Sequence, residues 1–407
     1  MMRWLLPENI ADVLPAEARR IEELRRQLLD LYRSYGYELV MPPLIEHLES
    51  LLTGSGRDLG LRTFQLVDQL SGRTLGVRAD MTPQVARIDA HLLDREGVVR
   101  LCYAGSVLHT RAQGVLATRE PMQIGVELYG HSGIEAELES IDLMVRSLVL
   151  AGVGRLRIDL CHVGVVQGLL DACGPLDAAV DLDELYRLLQ GKDIPGLQET
   201  LRTSPPALCD ALTTLVRLHG RVGNGCDPER SALTRARAGL PDVPAVRDAL
   251  DRLERLCMSS VLRYPEQVEW SLDLADLRGY RYHNGITFAA YVEGLPYAIA
   301  RGGRYDDVGR AFGRARPATG FSIELRALAG LLDDVEPISA IRAPWSDDAK
   351  LIDAIESLRA AGEVVVQALP GRDPGPQEFV CDRELALRGN EWVVGPAPGS
   401  DRARADG

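Results

Sequence analysis

The segment at residues 278–288, RGYRYHNGITF, holds the densest group of side chains suited to chemistry. Arg278 can bind a carboxylate through two parallel hydrogen bonds, and the two glycines let a ligand approach the backbone closely. Tyr280, Tyr282 and His283 offer aromatic faces with polar ends. We predict that this segment lines a pocket for a small molecule that carries a carboxylate. The alternative interpretation is that Arg278 is a solvated or structural charge that binds no ligand.

Two shorter segments place polar side chains where a ligand could meet them. In VRADMTPQ, Asp80 and Thr82 stand where a strand gives way to a helix, and together they could hold an ammonium group. They could equally cap the helix. In MQIGVELYG, Gln123 and Glu127 share one face of a strand. They would need polar partners if buried, or they could face water.

A fourth segment, RGGRYDD, places Gly302 and Gly303 directly before Arg304 at a strand end. The two glycines could form the wall of a pocket, because they let the backbone approach a ligand. The plainer interpretation is a tight turn followed by a helix that starts at Asp306 or Asp307.

The composition excludes several classes of protein. The chain has 407 residues, 46% of them hydrophobic, and a net charge of −13. That charge argues against a broad nucleic-acid surface, and no apolar stretch reaches the roughly 18 residues of a membrane span. The N-terminus does not resemble a signal peptide. Seven cysteines without a CxxC pair favour reduced thiols in the cytoplasm over a disulfide framework or a metal site.

Hydrophobic spacing predicts the elements that position these segments. Residues 17–35 have helical spacing, the segment 37–46 reads as a strand stopped by Pro42 and Pro43, and 63–80 as a hairpin. Residues 99–109 and 119–130 read as antiparallel strands on either side of a loop, and 133–153 as an amphipathic helix. We therefore expect an α+β fold, an antiparallel sheet flanked by helices.

The second half of the chain changes character twice. Residues 163–265 are rich in Leu, Ala and Arg, which predicts an inserted helical subdomain. Strand patterns return from residue 268 to residue 332. EPISAIRAP, at residues 336–344, reads as a linker, and the remainder as a small α/β appendage with a polar tail.

The order of the segments VRADMT, MQIGVE, LRGYRYHNGITF and GGRYDD, followed by ATGFS, resembles the histidyl-tRNA synthetase catalytic domain. This resemblance implies a class II aminoacyl-tRNA synthetase-like fold. Residues 1–162 and 266–332 would form a histidine-binding domain, 163–265 a helical insertion, and 333–407 a small C-terminal appendage.

The resemblance also implies a histidine pocket. The amino-acid amino group would meet the residues of the first segment, and the carboxylate or an α-phosphate would meet the arginine of the third. The tyrosine and histidine of that segment would lie near the imidazole. The implied histidine-binding residues are Asp80, Thr82, Gln123, Glu127, Arg278, Tyr282 and His283, with Gly302 and Gly303 in the pocket wall. No metal and no cofactor are implied.

Three departures from the synthetase pattern affect its ATP-binding positions. His109 and Arg111 occupy the slots of an Arg and a Glu in the second signature motif. Arg326 and Ala327 occupy those of a Glu-Arg pair in the third. Ala289 replaces a Glu of the synthetase string. Losing one preorganised cation in a reaction of this kind costs ~2.7–4 kcal/mol, so we expect a pocket that holds histidine without activating it.

A second resemblance follows from DLRGY.YH.G..FAAY and from the C-terminal strings VVVQALPG and EWVV. These are similar to the regulatory subunits of short-form ATP phosphoribosyltransferases, a family of synthetase paralogues. The resemblance implies a non-catalytic chain that assembles with the short catalytic subunit for the first step of histidine biosynthesis. L-histidine would be its effector, and a homodimer would form the core of the hetero-oligomer.

Two other functions stay open at this point. The chain could be an active histidyl-tRNA synthetase with a divergent ATP site, which histidine-dependent exchange of pyrophosphate into ATP would reveal. It could instead be a histidine sensor that acts on another partner, which the identity of its co-purifying protein would reveal.

Overall fold

The computed structural model describes residues 5–53, 57–112, 114, 117–174, 176–222, 231–259, 267–279, 282–332, 337–371 and 378–398. These residues form two compact units. The first unit combines Met1–Asp12 with Ile21–Leu332, and the second combines Val13–Arg20 with Asp333–Gly407. No helix within the described ranges is long and apolar enough to cross a membrane.

The first unit alternates strands and helices before the insertion. Its elements up to residue 162 are α1 (Pro15–Ser34), β1 (Glu38–Leu39), β2 (Ile45–His47), α2 (Leu48–Leu52), α3 (Arg57–Arg62), β3 (Phe64–Val67), β4 (Thr74–Val77), α4 (Thr82–Arg87), a π-helix (Ile88–Leu93), β5 (Val99–Ser106), β6 (Met122–Tyr129), α5 (Glu135–Leu150) and β7 (Leu156–His162). The predicted helix, hairpin and antiparallel strand pair are confirmed.

The insertion is mainly helical, as its composition predicts. It contains α6 (Val163–Ala172), α7 (Leu182–Gln190), α8 (Ile194–Thr200), α9 (Pro206–Val216), β8 (His219–Arg221), α10 (Ala232–Gly239) and α11 (Pro244–Cys257). Local sequence sets the helix starts. The side chains of Asp181 and Asp193 accept backbone N–H groups at the starts of α7 and α8, and a proline opens α11.

The first unit then returns to the sheet. Its last elements are β9 (Val268–Asp273), β10 (Ile286–Val292), β11 (Ala300–Arg304), a 3₁₀ helix (Val308–Phe312), β12 (Ala318–Glu324) and α12 (Leu325–Gly330). A nine-stranded sheet runs in the order β1-β5-β6-β12-β11-β10-β7-β9-β8, and β2, β4 and β3 form a smaller sheet.

The large sheet is mainly antiparallel, as predicted, but it contains two parallel pairs. Strands β1 and β5 are parallel, and so are β7 and β9. A parallel pair requires a long crossover connection, and the chain between β7 and β9 supplies it as the helical insertion. The β7–β9 pair is therefore parallel because the insertion leaves and re-enters the sheet at neighbouring strands.

One face of this sheet is covered by helices. Helix α5 buries Ile141, Leu143 and Met144, and Tyr32 of α1 packs edge-on against Phe321 of β12 with ring centroids 6.1 Å apart. Side chains alternate between the two faces of a strand. The residues that alternate with Phe321 therefore point to the opposite face, where the candidate site lies.

The second unit has its own sheet and core. Its elements are β13 (Ile338–Pro344), α13 (Ala349–Ala360), β14 (Val365–Ala368), β15 (Phe379–Arg388) and β16 (Glu391–Pro396), with strand order β14-β13-β15-β16. The predicted linker at residues 336–344 is wrong, because most of it is strand β13. Ile341 and Ala343 are buried there against Leu351 and Ile355 of α13, so this short apolar run belongs to a core.

Candidate functional site

Strand register places Glu127, Gly320, Gly303 and Thr287 in one row across β6, β12, β11 and β10. Residues directly opposite each other in antiparallel strands point to the same face. The two central glycines carry no side chain, and neighbouring side chains occupy the space over them. A Cβ on Gly303 would lie 2.7 Å from Cδ2 of His283, and one on Gly320 would collide with the Glu127 carboxylate. The side chains of His283 and Glu127 therefore lie in the depression that the two glycines leave along the row.

Glu127 is the centre of this depression, which we call the glutamate pocket. Its side chain is only 1% exposed. Tyr103 Oη donates to its Oε1 over 3.2 Å, and the hydroxyl of Tyr305 donates to Oε2. Among the described residues no ion pair to this carboxyl is formed. Burial raises the pKa of Glu127 to about 8, because removal from water disfavours the charged form.

Aromatic residues enclose the carboxyl. The rings of Tyr282 and Tyr305 lie 4.8 Å apart, and burial raises the pKa of Tyr103, Tyr282 and Tyr305 well above the ordinary value. These hydroxyls therefore stay protonated. The Tyr282 hydroxyl is buried and makes no hydrogen bond within the described part of the chain, so it is available to a ligand.

The segment around Asp80 meets the same pocket. Thr82 Oγ1 lies 3.3 Å from the Tyr103 hydroxyl, and the backbone N–H of Met81 donates to Gln123 Oε1 over 3.1 Å. The Asp80 carboxylate accepts the Thr82 N–H over 3.2 Å at the start of α4. Asp80 thus serves the helix start, and its second oxygen can still receive an ammonium group.

His283 forms the side wall between the pocket and its neighbourhood. Its ring meets Tyr282 edge-on with centroids 5.3 Å apart, and Nδ1 lies 3.2 Å from the carbonyl oxygen of Gly279. Gly279 has φ +77°, a conformation that suits glycine. Burial lowers the pKa of His283 to about 4. The imidazole is therefore neutral near pH 7, and its other nitrogen can accept or donate a hydrogen bond.

A second depression on the same face is lined by charged residues, and we call it the arginine cleft. Asp276 lies between two arginines, with 3.3 Å from its Oδ1 to Nε of Arg278 and 3.7 Å from its Oδ2 to Nη1 of Arg301. The cleft is lined by Asp159, Leu160, Cys161, Asp276, Arg278, His283, Thr287, Phe288, Ala289, Arg301 and Gly302.

The structure divides the predicted site residues between these two places. The glutamate pocket gathers Asp80, Thr82, Gln123, Glu127, Tyr282, His283 and Gly303. Arg278 and Gly302 line the arginine cleft, which shares His283 with the pocket. Tyr280, predicted as an aromatic wall, lies outside the described residues.

Sequence reasoning missed two of the three hydroxyls around Glu127. Tyr305 lies in the segment RGGRYDD, shortly after two glycines. The two glycines favour a turn as well as a pocket wall, so they do not single out the tyrosine. Tyr103 faces the pocket because it lies opposite Gly125 on the neighbouring strand. A Cβ on Gly125 would lie 2.7 Å from the Tyr103 hydroxyl. No local pattern around Tyr103 identifies this pairing.

The altered positions of the second synthetase motif have become structural. His109 is buried, with Nε2 2.9 Å from the carbonyl oxygen of Ala79, and burial lowers its pKa. Arg119 donates to the His109 carbonyl over 3.1 Å and lies over the ring of Phe64. A neutral buried imidazole therefore stands at the position for which the resemblance to the synthetases implies a cation.

The third motif shows the same change. Glu324 caps α12 by accepting the N–H of Ala327, and it also accepts the N–H of Met122 over 3.1 Å. Arg326 donates to the carbonyl of Ala11 over 3.1 Å. Its guanidinium is thus used to hold the N-terminal segment. In the described ranges no group of three or more His, Cys, Asp or Glu side chains could bind a metal ion.

Comparisons with known proteins agree with both resemblances. The histidyl-tRNA synthetase family model matches residues 9–328. The model of the ATP phosphoribosyltransferase subunit HisZ C-terminal domain matches residues 338–395. A solved structure from Bacillus halodurans, described as an ATP phosphoribosyltransferase regulatory subunit/histidyl-tRNA synthetase, is 27% identical with a TM-score of 0.77, covering 92% of this chain and 95% of that one. Histidyl-tRNA synthetase from Nostoc has the same fold at 18% identity, with a TM-score of 0.70 over 99% of both chains.

Full-length relatives specify the family further. The ATP phosphoribosyltransferase regulatory subunit of Ralstonia nicotianae is 58% identical over 400 residues, covering 98% of this chain and all of that protein. The protein of the same name from Paraburkholderia phymatum is 58% identical over 398 residues, covering 97% of this chain and 99% of that protein. These relatives confirm the prediction of a regulatory rather than a catalytic chain. The chain belongs to the family of ATP phosphoribosyltransferase regulatory subunits.

Proposed function

We propose that this chain acts in the cytoplasm as the regulatory subunit of a short-form ATP phosphoribosyltransferase complex. Its partner, the short catalytic subunit, transfers a phosphoribosyl group from phosphoribosyl pyrophosphate to ATP. The observation that carries the proposal is the full-length similarity to regulatory subunits, together with an enclosed pocket beside ATP-binding positions that have lost their cations.

The effector is L-histidine, bound in the glutamate pocket. The imidazole lies between Glu127 and the Tyr282 hydroxyl, because a buried carboxyl whose partners in the described ranges are hydroxyls suits a ring with two polar nitrogens. The amino group is held by Asp80 and Thr82. Arg278 binds the carboxylate of the histidine ligand from the neighbouring cleft. Its guanidinium is exposed, and its Nε lies 3.3 Å from the Asp276 carboxylate.

Histidine regulates the complex by binding one of its arrangements more tightly than another. Such coupling between sites typically amounts to about 1–3 kcal/mol, which corresponds to a 5–150-fold change in affinity. By linkage, the catalytic subunit changes the affinity for histidine by the same factor. Measuring histidine binding with and without the partner therefore determines the coupling directly.

The chain forms a homodimer within the complex. Strand β1 stands at the open edge of the nine-stranded sheet, and four large apolar side chains in and after it are exposed: Leu39 (45%), Met41 (77%), Leu44 (47%) and Ile45 (45%). An exposed edge strand beside apolar side chains is suited to pairing with another chain. A second copy is the occupant that would cover both at once. Met41→Glu should shift the protein toward monomer in analytical ultracentrifugation, whereas an unchanged dimer would place the interface elsewhere.

The experiment that tests the regulatory role is reconstitution. The purified chain is mixed with the cognate short catalytic subunit, and phosphoribosyl-ATP formation is followed with and without histidine. We expect the chain to raise the activity of the catalytic subunit and histidine to lower it again. Absence of any effect on the catalytic subunit would overturn the proposal. Histidine-dependent exchange of pyrophosphate into ATP by the chain alone would instead identify a synthetase.

Calorimetry tests the pocket separately. Glu127→Ala removes a buried partner of the ligand ring, a loss that typically costs about 2–5 kcal/mol, so histidine affinity should fall by roughly 100-fold. Arg278→Ala should weaken binding less, because Arg278 is exposed. Thermal melts of both variants must show a folded protein. Unchanged histidine affinity in both variants would show that histidine does not bind in this pocket. The result of the reconstitution experiment would still stand.

A further inference from the structure

The arginine cleft contains the parts of a phosphate-binding site, yet its charges cancel. Arg278 and Arg301 bring two positive charges to its lining, and Asp159 and Asp276 bring two negative ones. Phosphate recognition relies on guanidinium groups that are free to form paired hydrogen bonds. The arrangement of the carboxylates therefore decides whether this cleft can take an anion.

Asp276 is the carboxylate that engages both arginines. Its side chain is 14% exposed, whereas those of Arg278 and Arg301 are 53% and 38% exposed. The Tyr291 hydroxyl lies 3.5 Å from Asp276 Oδ2, and Arg301 Nη2 lies 3.4 Å from the same hydroxyl. The partly buried carboxylate thus lies between two exposed cations at the rim of the cleft.

Asp159 adds a second negative charge deeper in the cleft. Its residue is 9% exposed, and its Oδ2 accepts from Arg157 over 3.0 Å. Its Oδ1 is buried and has no hydrogen-bond partner in the described structure. An incoming phosphate would have to displace Asp276 from the arginines and also approach this unsatisfied oxygen. Both steps are unfavourable, because like charges repel more strongly in a partly buried site than in water.

We infer that Asp276 is a specificity-determining residue that makes the cleft reject polyphosphate anions. The cations remain in the cleft, but Asp276 pairs with both of them. Ala289 also lines the cleft, without a carboxylate that could hold a counter-ion for a phosphate. This inference concerns phosphate anions, and it shares Arg278 with the proposed histidine site.

The test measures binding of inorganic pyrophosphate and of ATP to the full chain by isothermal titration calorimetry. Asp276→Asn keeps the size of the side chain and removes its charge, so it frees both arginines. We expect pyrophosphate to bind this variant at least about tenfold more tightly than the wild type. The double variant Asp276→Asn with Arg301→Ala should lose most of that gain, because one of the released cations is gone.

Asp347→Asn is the matched control, because Asp347 is exposed in the second unit and its loss changes the net charge equally. An equal gain in this control would mean that net charge alone is responsible, and would overturn the inference. So would an Asp276→Asn variant that melts like the wild type and gains nothing. If Asp276→Asn does not fold, Asp276→Ser decides in its place: a tighter binding of pyrophosphate supports the inference, and an unchanged affinity overturns it.

Discussion

The glutamate pocket and the arginine cleft lie side by side on one sheet face and treat charge in opposite ways. In the pocket, Glu127 is buried with hydroxyl partners, and no ion pair to it is formed among the described residues. In the cleft, Arg278 and Arg301 both face Asp276. The carboxyl of the pocket is therefore held by hydroxyl groups, whereas the charges of the cleft pair with each other.

This difference agrees with the proposed role, in which the fold binds an amino acid without activating it. Burial of a carboxyl without a cationic partner is costly to the folded state, which supports a role for Glu127 in ligand binding. Activation of an amino acid is stabilised by preorganised charges around a phosphoryl group. Here His109 is neutral and buried, Arg326 donates to a backbone carbonyl, and Asp276 lies between the two cleft arginines.

The largest expected effect comes from crowding the Glu127 carboxylate at Gly320. Gly320→Ala places a Cβ against the Glu127 carboxylate and the Val126 carbonyl, and overpacking of this kind costs typically about 1–3 kcal/mol. We expect a value near the upper end, because one of the two obstacles is backbone. Urea unfolding would measure the loss, and histidine binding should fall with it.

Gly154→Ala is the matched control for this substitution. A Cβ on Gly154 would meet nothing within 4 Å, so the same chemical change should leave stability within about 0.5 kcal/mol of the wild type. Equal losses of stability at Gly154 and Gly320 would show that contact with the Glu127 carboxylate is not the cause of the loss at Gly320.

The next expected effect is a pH dependence of the free energy of unfolding that comes from Glu127 in the pocket. Burial raises the pKa of Glu127 to about 8 from an ordinary value of 4.5. Between these values the unfolded state binds fewer protons, so the free energy of unfolding falls as pH rises. His162 and His283, whose pKa burial lowers to about 4, act in the opposite direction, but only below about pH 6.5.

The range from about pH 6.5 to 8 therefore isolates Glu127. One pH unit is worth about 1.4 kcal/mol for one proton, so the wild type should lose about 2 kcal/mol of stability across this range. Glu127→Gln cannot ionise and should show a flatter profile in urea unfolding at several pH values. If the free energy of unfolding changes equally with pH in the two proteins, Glu127 is not protonated in the folded state near pH 7.

The smallest effect separates two roles of Asp80. Its carboxylate accepts the Thr82 N–H at the start of α4, and substitution of such a residue by Ala typically costs about 1 kcal/mol of stability. Asp80→Asn should keep that hydrogen bond and stability, yet weaken histidine binding by about tenfold, since the ammonium group loses its counter-charge. Calorimetry and thermal melts of both variants would measure this. Unchanged histidine binding in Asp80→Asn would mean that Asp80 stabilises the start of α4 and does not bind the ligand.

Predictability from sequence differed between elements. The amphipathic period of α1 predicts the helix, because α1 buries one face. Helix α5 and strands β5 and β6 are buried over much of their length, so their hydrophobic content as well as their period predicts them. The segment at residues 336–344 was misread as a linker. Its strand, β13, is only seven residues long, and a short apolar run with a terminal proline carries little periodic signal.

The sequence by itself determined the family, the order of elements and most of the residues that meet in the glutamate pocket, because these are carried by contiguous motifs. The tertiary structure alone decided which groups became neighbours across strands. Tyr103 and Tyr305 reach Glu127 from different strands, and Asp276 meets Arg301 although 25 positions separate them in the chain. Burial and charge pairing depend on such neighbours, so the charge state of each depression is a property of the folded chain.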